Sequence, residues 1–138
     1  LHDALPICTA IAREAKKVIE SGAPTSLRKY GRITAKEVFK EAGCGDVKSA
    51  EVLDRALNYL GICVANVMNC FDPEVLIIGG GVSEGGNIVT DKVKEVVEKR
   101  CFKVISENTK ILRAELGTNA GVIGAAALVI LQSRKCDP

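Results

Sequence analysis

The stretch Asp72-Pro73-Glu74-Val75-Leu76-Ile77-Ile78-Gly79-Gly80-Gly81-Val82-Ser83 constrains the fold more than any other, because an apolar run breaks directly into three consecutive glycines. Apolar residues without alternation read as a short strand covered on both faces, the kind found in parallel sheets with helices on either side. The glycines then strip side chains from the loop at the strand's carboxyl end, where ligands sit in open α/β sheets. Consecutive glycines admit positive φ and close backbone approach at an entropic cost, so the segment reads as a ligand loop. A tight turn built on Gly-Gly is the alternative.

Two nucleotide-binding motifs can be tested position by position. A dinucleotide fingerprint, G-x-G-x-x-G, started at Gly79 meets Glu84 where its last glycine belongs, and started at Gly80 meets Val82 where its second belongs. A P-loop needs Gly-Lys after Gly and four residues; Gly80 and Gly85 have that spacing, but Gly86 stands in place of the Lys. Both motifs are excluded.

At 138 residues and 47% hydrophobic content, with no Trp, the chain is long enough for one globular domain on an aliphatic core. Its 19 basic and 17 acidic side chains are interspersed and net only +2, so no concentrated patch faces nucleic acid or an anionic membrane. The six cysteines are widely separated and contain no C-x-x-C pair, which argues against a metal site within this segment and for free thiols in a reducing cytoplasm. The nearly apolar run Ala120 to Leu131 is interrupted by Gly121 and Gly124 and falls short of the about 20 residues a membrane span needs. The chain opens on Leu1 rather than Met, and Leu1 to Ile7 has neither helical nor strand periodicity; residues 1–8 are expected to be a junction or unstructured segment, and His2 is set aside with them.

Ile11, Ala15, Val18 and Ile19 predict an amphipathic helix over Thr9 to Ser21, stopped at Gly22. Thr34 with Glu37 is a capping-box pattern and predicts a helix over Ala35 to Ala42. Asp46 is placed to cap a long helix with the stripe Val47, Ala50, Leu53, Leu57, Leu60, Val64, Val67, Met68 and Phe71. Beyond Asn58 that helix is uncharged, so its second half is expected to be buried on more than one side. Cys63 and Cys70 then act as small hydrophobes, and Asn66 and Asn69 pair with neighbouring backbone or touch a ligand. A surface helix follows the glycine loop to about Cys101, a second strand spans Lys110 to Leu116, and a weak third strand lies around Val104. The last helix, Ala120 to about Ser133, is apolar nearly all round and needs partners on most sides. Two strands do not make a doubly covered sheet, so the rest of the sheet is expected to come from sequence upstream.

Four segments in fixed order carry a family resemblance: Ile33-Thr34-Ala35-Lys36-Glu37-Val38-Phe39; Gly45-Asp46; Phe71 to Ser83; and Leu116-Gly117-Thr118-Asn119-Ala120-Gly121-Val122-Ile123-Gly124-Ala125-Ala126-Ala127-Leu128. From about Thr9 to Leu131 the chain resembles the C-terminal part of bacterial ROK-family sugar kinases, glucokinase branch. The resemblance implies an α/β fold of the actin and hexokinase type, with residues 9–138 forming part of one ribonuclease H-like lobe truncated at its N-terminus. It implies transfer of the ATP γ-phosphoryl group, with Mg²⁺, to the 6-hydroxyl of glucose. Gly79, Gly80, Gly81 and Val82 would lie against the adenosine part of the nucleotide, with Ser83 at the start of the next helix. The family's phosphate loop, catalytic Asp, sugar-binding His and Glu, and Cys-rich zinc motif all precede the matched region. No catalytic or metal-binding residue is therefore assigned here, and this portion alone is expected to be inactive. The resemblance also implies a homodimer. Two other readings stay open: the sugar-sensing lobe of a ROK transcriptional repressor, with nucleic-acid binding upstream, and a kinase of another hexose or an N-acetylated amino sugar.

Overall fold

The computed structural model describes residues 7–133. Helix α1, Ile7–Glu20, starts two residues before the expected Thr9, because Ile7 stands four residues before Ile11 on the same face. Ile7 and Cys8, set aside with the junction on sequence grounds, thus form the first turn of α1 and pack against the core. A short 3₁₀ turn, Ser26–Lys29, leads to α2, Ala35–Gly43, whose Thr34–Glu37 capping box is present as expected. Helix α3, Val47–Phe71, is capped by Asp46, whose Oδ1 accepts from the Ser49 amide at 2.7 Å.

Strand β1, Val75–Ile78, runs parallel to β2, Lys110–Arg113, in a register that pairs Val75 with Lys110 and Ile78 with Arg113. Between them lie a 3₁₀ turn at Gly81–Gly85, helix α4 over Asn87–Arg100 and helix α5 over Lys103–Asn108. After β2, a further 3₁₀ turn at Gly117–Asn119 opens α6, Ala120–Ser133. The segment around Val104, expected as a weak strand, is therefore the helix α5. Its two adjacent apolar residues divide between surroundings, Ile105 against the core and Val104 71% exposed, as they would on a helix.

The helix α3 is the centre of the molecule and touches α1, α2 and α4. Leu57, Val64, Ala65 and Met68 meet Val89, Val93 and Val97 of α4, and Ile78 and Ile111 of the sheet complete that core. Gly61 permits the close crossing, since a Cβ there would sit 2.6 Å from Cβ of Val96. A second cluster joins Ile11 and Ala15 of α1 to Val38 of α2 and Val52 and Leu53 of α3.

Burial departs from the sequence expectation on the other side of these elements. Ile77 is 63% exposed, with Val75 and Leu112 also open, so one face of the sheet is covered and the other is bare among the described residues. The second half of α3 is likewise buried on one side: Cys63, Cys70 and Asn66 are exposed. Missing charge marked an apolar surface there, not double burial. Asn69 does pair as expected: its amide donates to the Arg100 carbonyl at 3.2 Å, and its Oδ1 accepts from the Phe102 amide at 3.1 Å. Helix α6 is exposed along its length, and its apolar side chains include Val122, Leu128 and Leu131.

Two carboxylates lock the α2 region, and α2 becomes a wall of the site. Glu41 is 2% exposed and accepts from Lys29 Nζ at 2.9 Å, Tyr30 OH at 2.7 Å and Ser26 Oγ. Those donors, Lys29 foremost, hold its pKa down to about 2. Asp46 accepts from the Ser26 amide at 2.6 Å; burial works to raise its pKa, but the Ser26 and Ser49 amides hold it well below the usual carboxylate range.

Candidate nucleotide site at the glycine turn

The run Gly79-Gly80-Gly81 leaves β1 at its carboxyl end with its backbone exposed. Gly80 has φ 77° and ψ −171°, a region essentially closed to residues with a Cβ, and nothing lies within 4 Å of where its Cβ would be. The chain then reverses through the 3₁₀ turn, held by the Gly80 carbonyl, which accepts from the Ser83 amide at 3.0 Å and from Ser83 Oγ at 2.7 Å. All five residues singled out in the sequence therefore lie on one turn, but they divide in two. Gly79, Gly80 and Gly81 face outward, while Val82 (5% exposed) enters the core and Ser83 (3% exposed) spends its hydroxyl on the turn itself. Val82 and Ser83 anchor the loop and have only backbone to offer a ligand. Ser83 also lies within the 3₁₀ turn and not at the start of α4, which begins at Asn87 behind Gly86 at φ 65°.

Beside the turn runs a groove of about 520 Å³ whose walls are the turn (Gly81, Glu84, Gly85), the start of α4 (Ile88) and α2 (Thr34, Ala35, Lys36, Phe39, Lys40), with Cys8 at one end. Its volume falls within the roughly 300–1,000 Å³ typical of small-molecule sites. Glycine is required at position 85 by packing: a Cβ there would lie 2.5 Å from Phe39 Cε1. Burial raises the Cys8 thiol pKa. On the β2 side of the same turn the space is only about 160 Å³, between Ser83, Arg113 and Glu115. A groove of about 580 Å³ also separates α1 from α3, but its rim of Arg13, Glu14, Lys17, Arg55 and Tyr59 belongs to two surface helices. It contains no residue of the strands or of the loops at their carboxyl ends, where ligands bind in this type of sheet.

Sequence reasoning missed the second wall. The Ile33–Phe39 segment was legible as a helix start and a family signature, yet nothing in it announced that α2 folds against a turn almost fifty residues later. The turn at Gly117–Asn119 also lies next to Gly81–Gly85, bringing a second glycine-bearing motif to the strand ends. The described residues contain no group of three or more His, Cys, Asp or Glu able to hold a metal ion.

A parallel β–α–β unit with a glycine turn at its strand ends defines part of an α/β lobe, and its likeness to solved sugar kinases makes that lobe one of the actin and hexokinase type. The model of the ROK family matches residues 8–132, and the chain belongs to that family. A glucokinase of Halalkalibacterium halodurans is 35% identical over 133 residues, 94% of this chain and 40% of the relative. An N-acetyl-D-glucosamine kinase of Aliivibrio salmonicida is 35% identical over 68% of this chain and 30% of its own length. A xylose repressor of Caldicellulosiruptor bescii is 31% identical over 88% of this chain and 31% of the relative. The crystal structure of a ROK family glucokinase from Streptomyces griseus, in complex with glucose and AMPPNP, superposes with TM-score 0.72 at 26% identity, over 88% of this chain and 40% of that one. The chain thus spans at most about two fifths of these relatives' lengths.

Proposed function

We propose that this chain is the carboxyl-terminal, nucleotide-binding portion of an ATP-dependent sugar kinase, with glucose as the sugar phosphorylated at its 6-hydroxyl. The observation that carries the reading is the exposed Gly79-Gly80-Gly81 backbone at the carboxyl end of β1, whose last residue, Gly81, lines a groove of nucleoside size. The chain's own residues would bind and orient the nucleotide. Gly81 brings bare backbone against it, Val82 and Ser83 hold the turn rigid, and Phe39 and Ile88 supply apolar surface. Phosphoryl transfer also needs a base for the attacking hydroxyl and a bound metal ion; in this reading both come from the rest of the enzyme, so this portion alone is inactive. The glucokinase relative, aligned over nearly the whole chain, favours glucose over an N-acetylated amino sugar.

The similarity to a xylose repressor favours a second reading, in which the lobe senses a sugar and the upstream segment binds DNA. An ATP-coupled assay of the complete gene product against glucose, N-acetylglucosamine, mannose and xylose tests both. Turnover restricted to another sugar removes glucose, and no turnover together with sugar-dependent operator binding favours the repressor. For this chain, Gly80→Val should weaken ADP binding, because strain at its positive φ would displace the adjoining Gly81, which lines the groove. We infer a cytoplasmic location for the protein and a homodimer for the complete product. Among the described residues no helix is long and apolar enough to cross a membrane, and Cys8, Cys44, Cys63, Cys70 and Cys101 are free thiols.

A further inference from the structure

We infer that the pocket where α2, α3 and α4 converge is a second ligand site, for a small, neutral and largely apolar molecule, and that it communicates with the glycine-turn groove through Ile88. The pocket has a volume of about 310 Å³ and is formed by the end of α2 (Ala42, Gly43), one face of α3 (Leu53, Leu57) and the start of α4 (Ile88). Leu53 and Leu57 are 3% and 1% exposed and make its base. Water in such a concavity finds few hydrogen-bond partners, so an apolar occupant that displaces it is stabilised by burial. Gly43 leaves the space open although neither backbone nor packing requires a glycine there: its φ is not positive, and nothing lies within 4 Å of where its Cβ would be.

The charges at the pocket decide the class of occupant. Its two charged residues, Asp54 and Lys92, are paired with each other at 2.8 Å; Lys92 also donates to Glu95 at 3.0 Å, and Glu95 accepts from Lys99 at 2.5 Å. Those four charges cancel, so an anion meets no unpaired cation in the lining and would lose its hydration without compensation. A phosphate-bearing molecule is disfavoured on the same ground, which separates this pocket from a nucleotide site. Ile88 is the link: it is 52% exposed and lines both this pocket and the groove beside the glycine turn. An occupant packed behind Ile88 holds that side chain in one rotamer, so it is already ordered when a nucleotide arrives. The link, unlike the pocket, rests on the nucleotide reading above.

The test is titration of indole, a neutral probe, into the full chain, followed by amide chemical shifts. Indole should give saturable shifts at Ala42, Gly43, Ala50 and Leu53, and indole-3-carboxylate, the same body with a negative charge, should bind at least about tenfold more weakly. Gly43→Leu and Ala50→Leu each place a side chain in the pocket and should each lower indole affinity about tenfold, with the circular dichroism of the unmodified chain showing that the variant is folded. Shifts gathered on the bare sheet face and α6 instead, equal binding of the carboxylate, or undiminished affinity in a folded variant would overturn the site. For the link, saturating indole should strengthen ADP binding about threefold, roughly the effect of ordering one Ile side chain, and Ile88→Ala should abolish the gain. An ADP affinity indifferent to indole overturns the link and leaves the nucleotide reading standing. If ADP does not bind at all, the nucleotide reading falls with the link, and the indole shifts alone decide the pocket.

Discussion

Replacing Gly80 with Ala isolates what the glycine turn contributes through its backbone alone. At φ 77° and ψ −171° the residue occupies a region where a Cβ costs about 1–3 kcal/mol, and since nothing lies within 4 Å of that Cβ, no steric clash adds to the figure. The adjacent Gly79 is the internal control. Its φ is not positive, and its Cβ would rest 3.5 Å from Ala114 Cβ, ordinary contact, so Gly79→Ala should leave stability unchanged or raise it by about 0.5 kcal/mol through lower unfolded-state entropy. Urea denaturation followed by circular dichroism should therefore separate two neighbouring Gly→Ala variants by about 1–3 kcal/mol, at similar slopes. In a domain of this size that is a difference of several degrees in Tm. Equal stabilities, or a Gly79→Ala variant weaker than Gly80→Ala, would refute the assigned turn geometry.

Gly61→Ala should destabilise by about 1–2 kcal/mol in the same assay, because overpacking against Val96 outweighs the gain in helix propensity; an unchanged midpoint would mean that α3 and α4 do not cross so closely. Glu41 has a folded-state pKa of about 2, below its usual 4.5, so its contribution to stability is present above about pH 4.5 and is lost as pH falls toward 2. Glu41→Gln should be less stable at neutral pH and lose less on acidification through that window; an identical pH profile would remove Glu41 from the account. The bare sheet face and α6 should make the isolated chain bind an apolar dye and self-associate, and Leu128→Lys should reduce both; light scattering showing a dye-negative monomer would contradict this.

The sequence disclosed those features whose signals are local. Thr34 with Glu37, and Asp46 before Val47, declare helix starts because the donors and acceptors involved lie within one turn of each other. The glycine turn was legible because few connectors need so many unsubstituted residues after a strand. What stayed hidden depends on distant residues meeting. Glu41 stands between Lys40 and Ala42 like any surface-helix carboxylate and gives no sign that Ser26, Lys29 and Tyr30 close over it. The groove unites residues of α2 with those following β1, and no periodicity reports that union. Helix α5 was misread because two apolar residues, Val104 and Ile105, are too few to show a period. Val82 and Ser83 belong to the glycine motif by order, yet the 3₁₀ turn rotates both into the interior, which spacing alone does not reveal.

The central claim is that the glycine turn of this chain receives an adenine nucleotide, and an ADP titration followed by amide chemical shifts tests it residue by residue. The account predicts saturable shifts at Gly79 through Gly86 and along α2 from Lys36 to Lys40, with the α1 residues Arg13 and Lys17 unmoved. Shifts gathered in the groove between α1 and α3, or none at millimolar ADP in the folded chain, would contradict it.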